Sequence, residues 1–299
     1  MPLNTGIDVL VIGEALIDVV ESESLSTEHV GGSPANVALG LGRQGLRVAL
    51  LSQLGEDRRG AAIADHLNRS HVLVLPQSYV LEKTSTAVAR IASDGHADYE
   101  FDIAWRNAFR SLPIDAPLVH IGSVASFLEP GASEIRRLLQ HHPPKTLTYD
   151  PNIRPALMPP HKAAVAVFEE TAAMANLVKM SDEDAAWLYP NKSADDVVDN
   201  VLALGAQLAA ITLGSEGAIV ASHATRVTIP ALKVRAVDTI GAGDTFMTSL
   251  ISSMSTANLD LTDPAALHRI GEDAARAAAI TVSRAGADLP WAADVAPRP

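Results

Sequence analysis

The sequence predicts an α/β fold, a three-layer doubly wound and mostly parallel sheet with helices on both faces. Short runs rich in Val, Ile and Leu alternate with Ala-rich stretches of helical periodicity along most of the chain. Strands that alternate with helices pair in parallel and are buried on both faces. Neither a repeat of fixed period nor a low-complexity linker interrupts this order, so we expect a single domain over residues 1–299.

Each predicted strand is a short apolar run, and each predicted helix carries apolar side chains at helical spacing. The strands are Val9–Ile12, Val48–Ser52, Val72–Leu75, Leu118–Ile121, Thr146–Tyr149, Leu177–Met180, Ala209–Leu213 and Gly217–Ala221. The helices are Ala35–Leu41, Arg58–Arg69, Ser133–His141, Lys162–Met174, Ala194–Leu204, Ala265–Val282 and a segment with apolar residues from Phe246 to Met254.

One segment departs from this alternation. Thr84–Phe101 alternates polar and apolar residues around Ser93-Asp94-Gly95, and Asp-Gly is typical of a hairpin turn. A hairpin that rises from a parallel sheet can cover a ligand site as a lid, or it can be a surface feature without a role.

The composition excludes several classes of protein. Apolar residues make up 47% of the chain and charged residues 19%, as in an ordinary globular domain. The chain has no cysteine, which rules out disulfides and thiol catalysis, and its formal charge of −12 makes nucleic acid and anionic membranes poor partners. The first apolar segment contains Glu14 and Asp18, so it predicts neither a signal peptide nor a membrane span, and we expect a cytoplasmic protein.

The segment Val237–Phe246 carries the strongest chemical signal. Gly241, Ala242 and Gly243, here called the glycine turn, precede a predicted helix, where main-chain N–H groups can approach an anion such as a transferring γ-phosphoryl group. Asp244 follows directly. Its carboxylate can be only a favourable charge in the first helical turn, or it can accept the proton of an attacking hydroxyl beside the bound phosphoryl group.

The string Asp-Thr-Ile-Gly-Ala-Gly-Asp-Thr-Phe, which begins at Asp238, resembles the C-terminal signature of the PfkB (ribokinase-like) carbohydrate kinases. The resemblance implies that Asp244 is the catalytic base and that the glycine turn is an anion hole. It also implies a ribokinase-like fold with lid strands from about 14–31 and 84–107. In many relatives a monovalent cation such as K⁺ lies near the first Asp, and here Asp238 and Ile240 would take part.

A second motif lies about 200 residues earlier, at Val30–Ala38. Ser33 before Pro34 is typical of a helix N-cap, and Asn36 then lies in the first turn, where its amide suits a sugar hydroxyl or is incidental. Gly-Gly-Ser-Pro-Ala-Asn-Val-Ala resembles the N-terminal PfkB signature. The resemblance implies sugar contacts from Gly31, Gly32, Asn36 and Asp18.

The middle of the chain adds a third polar segment. Asp150-Pro151-Asn152-Ile153-Arg154 follows a predicted strand, where ligands bind in open α/β sheets, although Asp-Pro-Asn is also a good turn sequence. Arg154 could pair with a phosphate, and Asp150 could order water-bound Mg²⁺. The string resembles a segment that is typical of the fructokinases of the family.

Weaker resemblances complete the expected site. Ser181 and Asp184 stand at the positions of a family Asn-x-x-Glu motif that helps to place Mg²⁺, with Ser in place of Asn and the shorter Asp in place of Glu, although a capped helix start has the same pattern. The lid segment offers Phe101 as a candidate for sugar contact, although its spacing does not match that of fructokinases. The resemblance implies a nucleotide loop with Thr212, Gly214 and Gly217. It implies a wall of the adenine pocket at Ser283. The remaining contacts to the monovalent cation are implied for Thr281, Arg284 and Gly286.

Together the motifs predict a kinase that uses ATP and Mg²⁺ to phosphorylate a sugar, with fructose as the expected acceptor. Ribose, 2-keto-3-deoxygluconate and nucleosides are the alternative acceptors, and a homodimer joined through the lid is implied by the relatives. A sugar- or nucleotide-binding sensor without turnover is the alternative of another class, but it has no need of an acid beside the glycine turn. No Gly-x-Gly-x-x-Gly follows the first strand and no Gly-Lys-Ser/Thr is present, which disfavours a dehydrogenase and a P-loop ATPase.

Overall fold

The computed structural model describes residues 6–22, 26–91, 97–106, 108–109, 111–255 and 259–295. The strands are β1 (Val9–Ile12), β2 (Leu16–Glu21), β3 (Ser26–Gly31), β4 (Val48–Leu51), β5 (Leu54–Gly55), β6 (Val72–Val74), β7 (Tyr79–Leu81), β8 (Thr86–Ile91), β9 (Ala97–Asp102), β10 (Leu118–Gly122), β11 (Thr146–Asp150), β12 (Leu177–Ser181), β13 (Leu208–Thr212), β14 (Ala218–Ser222) and β15 (Arg226–Ile229). The helices are α1 (Ser33–Arg43), α2 (Arg58–Asn68), α3 (Gly131–His141), α4 (His161–Ala172), α5 (Asp182–Leu188), α6 (Ala194–Leu204), α7 (Ala242–Ser255), α8 (Pro264–Val282) and α9 (Ala292–Val295).

The larger sheet has the order β15-β14-β13-β12-β11-β10-β1-β4-β6. Its strands pair in parallel from β6 to β13, and β14 and β15 continue the edge in antiparallel pairing. The order runs outward from β1 in both directions, which is the doubly wound arrangement and brings helices onto both faces. The predicted α/β fold is confirmed.

Strand β1 shows how one sequence serves both faces of this sheet. Val9 and Val11 pack in a cluster with apolar residues of α1, α2, α7 and α8, whereas Leu10 and Ile12 pack with those of α3, α4 and α6. Successive side chains of a strand point to opposite faces, so a strand covered on both sides must be apolar at every position. None of these four residues is more than 2% exposed.

Four further strands form a smaller sheet of order β3-β2-β8-β9. Strands β8 and β9 pair antiparallel, as expected for the hairpin in Thr84–Phe101, and its expected turn at Ser93-Asp94-Gly95 lies outside the described residues. Strand β2 joins the two hairpins by pairing with β3 on one side and β8 on the other. That this sheet acts as a lid within a single domain stays a prediction.

Within the described part of the chain, no helix combines the length and the apolar character that a membrane span requires.

Candidate active site

The glycine turn lies at the start of α7, as the sequence predicts. Gly241 has a φ of 80°, and a Cβ placed on it would lie 2.9 Å from the Cβ of Ala287, so both backbone conformation and space require glycine here. The first main-chain hydrogen bond of α7 runs from the Thr245 amide, which donates, to the Gly241 carbonyl at 2.8 Å. The amide of Ala242 donates to Thr239 instead. The amides of Gly243 and Asp244 precede that of Thr245 and are therefore placed to meet an anion.

Asp244 brings the two signature motifs together. Its carboxylate is almost buried and accepts hydrogen bonds from the Ser33 hydroxyl at 2.6 Å and from the Asn36 side-chain amide at 2.8 Å. Both donors come from the first turn of α1, so the N-termini of α1 and α7 meet at this acid. Two donors aimed at the two oxygens hold the carboxylate in one orientation.

The predicted role of Ser33 as an N-cap is wrong. The N-cap of α1 is Gly32, whose φ of 101° and lack of a side chain give no capping bond, and Ser33 is the first helical residue. The reason is that the Ser33 hydroxyl is engaged with Asp244. Gly32 is required by space as well, since a Cβ there would lie 2.6 Å from the carbonyl oxygen of Glu14.

Asp18 and Gly31 are diagonal neighbours on β2 and β3, where Gly31 pairs with Leu16 and Asp18 pairs with His29. A Cβ on Gly31 would lie 1.9 Å from an Asp18 carboxylate oxygen, so this glycine makes room for the acid. The Asp18 residue as a whole is exposed, but its carboxylate lies against β3 at Gly31. The partial burial of this carboxylate raises its pKa, and the charges of Arg154 and His29 oppose the rise. Asp18 therefore lies within the electrostatic influence of Arg154, as one binding site for both requires.

The expected sugar contact Phe101 shares a face with Asp18. Asp18 pairs with Ala87 on β8, and Ala87 pairs with Phe101 on β9, so the three residues form one row across the smaller sheet. Directly paired residues point their side chains to the same face. Phe101 also stacks on Tyr99, with ring centroids 6.1 Å apart.

Glu14 lies beside the site, and no role for it was predicted from the sequence. It follows Gly13 at the end of β1, is 4% exposed, and accepts a hydrogen bond from the Ala125 amide at 3.0 Å. Burial raises its pKa to about 7, against hydrogen bonds from Ser123 and Ala125 and the charge of Arg154. An acid directly after a fully apolar strand was the available signal.

Lys179 is the second residue that the sequence did not identify. It lies on β12 and its ammonium is 3.0 Å from a carboxylate oxygen of Asp150, with the two side chains 5% and 1% exposed. Burial raises the pKa of Asp150 to about 6, although Lys179 opposes this. The other oxygen of Asp150 is buried without a hydrogen-bond partner among the described residues. A lysine inside a predicted buried strand was the signal for this pair.

Ser181 and Asp184 form a capping box at the start of α5, which confirms the helix-start pattern of this motif. The Asp184 carboxylate accepts from the Ser181 amide at 3.0 Å and from the Ile153 amide at 2.7 Å. It therefore ties α5 to the Asp-Pro-Asn loop. Arg154, in the same loop, donates to the Asn152 side chain at 2.8 Å.

The expected cation residues gather around the turn before α7. Asp238 accepts hydrogen bonds from the amides of Ile240 and Gly286, which lower its pKa, and it thereby joins the two segments. Thr281 is fully buried and its hydroxyl lies 2.8 Å from that of Thr245. Arg284 instead directs its side chain to Asp288 and Asp294.

The expected nucleotide residues lie at the ends of neighbouring elements. Thr212 ends β13, and Gly214 and Gly217 have φ values of 54° and 106° in the tight connection to β14. Ser283 is the C-cap of α8, and its hydroxyl donates to the Ile280 carbonyl at 2.7 Å.

The fold and this arrangement define a ribokinase-like α/β protein, and comparison with known proteins gives the family. The chain matches the pfkB family of carbohydrate kinases over residues 7–294. A fructokinase of Rhizobium leguminosarum bv. trifolii is 30% identical over 264 residues, which cover 84% of this chain and 81% of the relative. This chain therefore belongs to the pfkB family of carbohydrate kinases and is a sugar kinase.

Solved structures share the fold over almost the whole chain. An uncharacterised sugar kinase of Pyrococcus horikoshii in complex with ATP superimposes with a TM-score of 0.75 at 25% identity, covering 96% of this chain and 100% of that one. The fructokinase of Vibrio cholerae O395 in its fructose-, ADP- and calcium-bound form gives a TM-score of 0.77 at 23% identity and covers 94% of each chain.

Proposed function

We propose that this protein transfers the γ-phosphate of ATP to a hydroxyl of fructose, with Asp244 as the catalytic base. The observation that carries the proposal is the buried Asp244 carboxylate, which Ser33 and Asn36 orient beside the free amides of the first turn of α7. The acceptor hydroxyl gives its proton to Asp244 while its oxygen bonds to the γ-phosphorus, and the bond from that phosphorus to the ADP oxygen breaks. The Gly243 and Asp244 amides stabilise the charge on the transferring group.

In this proposal the sugar binds between the N-terminus of α1 and the exposed face of the smaller sheet. Asp18 and Asn36 accept and donate hydrogen bonds to sugar hydroxyls, the backbone of Gly31 and Gly32 lies beside them, and Phe101 covers the ring. Arg154 lies near enough for its charge to oppose the rise in the pKa of Asp18 that burial causes, which supports placing both in one pocket. Fructose is favoured because a relative that is 30% identical over 84% of this chain is a fructokinase.

ATP is proposed to lie along Thr212, Gly214, Gly217 and Ser283, with its γ-phosphate at the glycine turn. Support comes from the relative of Pyrococcus horikoshii, which shares the fold and binds ATP. Gly214, with a φ of 54°, has no atom within 4 Å of the place of a Cβ and leaves the backbone there open to a ligand, whereas Gly217 packs against the Ile229 carbonyl oxygen.

Mg²⁺ fits the acids below the glycine turn. Asp150 has one buried oxygen without a partner among the described residues, and Asp150, Asp184 and Asp244 together outnumber the one ammonium of Lys179. Mg²⁺ takes one or two carboxylates together with water and phosphate oxygens, so these acids would hold it beside the phosphates of bound ATP. When bound, it would neutralise phosphate charge.

A monovalent cation such as K⁺ is proposed at the turn before α7, where five residues meet: Asp238, Ile240, Thr281, Arg284 and Gly286.

A homodimer and a cytoplasmic location are part of the same proposal. The exposed face of the smaller sheet carries Val20 and Tyr99, which are 39% and 66% exposed and would be covered if two copies joined there. Sedimentation of the purified protein tests the dimer, and a monomer at micromolar concentration would contradict it.

The function is tested by measuring ADP release with fructose, ribose, 2-keto-3-deoxygluconate and adenosine. We expect the largest kcat/KM for fructose, and Asp244→Ala should lower kcat by about 10³-fold or more while ATP binding, measured by calorimetry, is kept. The matched control is Asp196→Ala, which also removes an acid from a first helical turn but lies on α6 at the surface. No ADP release with any sugar would favour the sensor, and normal kcat in Asp244→Ala would contradict the role of this acid.

A further inference from the structure

Lys179 is an unusual residue for the interior of a parallel sheet. It lies on β12 between two strands of the sheet and belongs to a run that is otherwise apolar, Leu177–Met180. Its side chain is 5% exposed. A buried ammonium costs free energy unless it is paired, so its presence at this place calls for a compensating function or partner.

Three carboxylates surround the Lys179 ammonium group. Asp150 pairs with it at 3.0 Å, and Asp184 and Asp244 lie near enough to interact with its charge. An ammonium group has three donors, and the pairing with Asp150 uses one of them. Lys179 therefore brings a positive charge and further hydrogen-bond donors to this part of the site.

The ammonium lies directly against the glycine turn. A Cβ placed on Gly243 would lie 2.9 Å from the Lys179 nitrogen. The φ of Gly243 is not in the left-handed region, so close approach rather than backbone conformation is what distinguishes this glycine from Gly241. The place that an alanine methyl would take at Gly243 is next to a positive charge.

Two other basic side chains among the described residues, His120 and Arg154, do not supply this charge. The pKa of His120, on the same face of the sheet, is lowered to about 3 by burial and by Lys179, so its imidazole is neutral. The charge of Arg154 acts on Glu14 and Asp18.

We propose that Lys179 is a further catalytic residue, whose ammonium contacts the transferring phosphoryl group at Gly243 while Asp150 holds it in place. The inference rests on the proposed function, since it takes the glycine turn as the phosphoryl site. The ammonium offsets the negative charge of the γ-phosphoryl oxygens and of Asp244, which otherwise repel each other. No covalent bond to Lys179 forms, and the proton transfer remains with Asp244.

A double-mutant cycle separates this contact from a purely structural pairing with Asp150. The kcat with fructose and saturating ATP is compared for the natural protein, Lys179→Met, Asp150→Asn and the double variant. Methionine fills the space of the lysine stem without charge, and asparagine keeps the shape of the aspartate. We expect Lys179→Met to lower kcat about 10- to 100-fold both alone and in the Asp150→Asn background. An effect below about threefold in the Asp150→Asn background would show that Lys179 only neutralises Asp150 and would overturn the proposal.

Nucleotide binding gives a second readout that does not depend on turnover. Calorimetry with Mg²⁺ compares ADP with β,γ-methylene-ATP, which keeps the γ-phosphoryl group but does not transfer it. In Lys179→Met the affinity for the ATP analogue should fall about 10-fold while that for ADP stays within about threefold, because only the analogue reaches Gly243. An equal loss for both nucleotides would contradict the contact.

Two controls keep the result interpretable. If Lys179→Met alone leaves Asp150 unpaired and does not fold, as circular dichroism would show, the double variant is compared with Asp150→Asn instead. The proposed function fails separately, through absent ADP release by the natural protein. Normal turnover that Asp244→Ala abolishes, together with an unaffected Lys179→Met, would overturn the inference about Lys179 alone.

Discussion

Glu14 and Asp18 lie four residues apart, and their surroundings give them different properties. Glu14 is enclosed, and its pKa of about 7 comes from burial, which its hydrogen bonds to Ser123 and to backbone amides and the charge of Arg154 only partly offset. Asp18 is exposed to solvent and belongs to the row of paired residues that includes Ala87 and Phe101. The positive charges of Arg154 and His29 act on its carboxylate and oppose the rise in its pKa. The first acid is thus placed to affect stability, and the second to meet a ligand.

Glu14 should make the protein less stable as the pH rises through neutrality. A carboxyl group with a pKa of 4.5 unfolded and about 7 folded stabilises the fold fully below pH 4.5, and that contribution is lost as the pH rises through 7. Glu14→Gln removes this loss and keeps an acceptor for the Ala125 amide. We expect the natural protein to lose on the order of 2–3 kcal/mol relative to Glu14→Gln between pH 5 and 8, measured by urea unfolding.

The surface substitution Glu82→Gln serves as the control for this comparison, since it removes the same charge from the same chain without touching the site. If the unfolding free energies of the natural protein and of Glu14→Gln run parallel across the pH range, Glu14 does not titrate as stated.

Asn36 and Asp18 should differ in which kinetic constant they affect. Asn36 donates to Asp244 as well as facing the proposed sugar site, so Asn36→Ala should lower kcat about 10- to 100-fold in addition to raising the KM for fructose. Asp18→Asn should raise that KM about 10-fold or more with kcat within about threefold, because Asp18 does not touch the base. The KM for ATP, measured in the same assays, should change little in both variants. A loss of kcat in Asp18→Asn equal to that in Asn36→Ala would show that the two residues share one role.

The smaller sheet links sugar binding to the backbone of β8 and β9. Asp18 on β2 pairs with Ala87 on β8, which pairs with Phe101 on β9, so a sugar held by Asp18 and Phe101 would bridge three strands. Fixing both ends of such a row reduces local opening of the hydrogen bonds between the strands.

Hydrogen exchange in Thr86–Ile91 and Ala97–Asp102 should therefore slow about 10-fold when fructose and ADP are added together. Peptides from α4, which packs on the opposite face of the larger sheet from α1 and α7, are the internal control and should slow much less. Unchanged exchange in β8 and β9 at saturating fructose would contradict a lid function for the smaller sheet.

The elements that the sequence predicted well are those with a local cause. Strand β1 and helix α6 have the predicted bounds, Val9–Ile12 and Ala194–Leu204, because an apolar run and a Ser-x-x-Asp capping box define them within a few residues. Most other predicted elements differ by one or two residues at an end. Strand β15 was not predicted, since it is a short edge strand in which only Ile229 is fully buried.

The parts of the candidate site that the sequence missed depend on contacts between distant segments. The bond from Ser33 to Asp244 spans 211 residues, and no local pattern tells a capping serine from one that is engaged so far away. Lys179 and Glu14 stand out only as charges next to apolar strands, and their partners Asp150 and Ala125 are 29 and 111 residues away. The resemblance to a family implied roles for the glycine turn, Asp18 and Asn36, but it implied none for Lys179 or Glu14.

The molecule as a whole assembles its site from both ends of the chain. Helix α1 brings Ser33 and Asn36, and helix α7 brings Asp244, so the orientation of the base depends on how closely these two helices pack. Gly40 lies at their contact, where a Cβ would be 2.6 Å from the hydroxyl oxygen of Thr248 on α7 and 2.6 Å from a methyl of Leu289. Interiors packed this closely transmit a small displacement instead of absorbing it.

Gly40→Ala should therefore affect both stability and catalysis, and Gly42→Ala should affect stability alone. A Cβ on Gly42 would meet the Ser70 carbonyl oxygen at 2.1 Å, which is an even closer overlap of α1, but with the chain before β6 instead of α7. Each overlap should lower the free energy of unfolding by about 1–3 kcal/mol. At 20 °C, where both variants remain folded, kcat should fall about 10-fold or more for Gly40→Ala because α7 and Asp244 move away from Ser33 and Asn36, and by less than about threefold for Gly42→Ala. Equal kcat values in the two variants, at matched losses of stability, would mean that the base is held without the packing of α1 on α7.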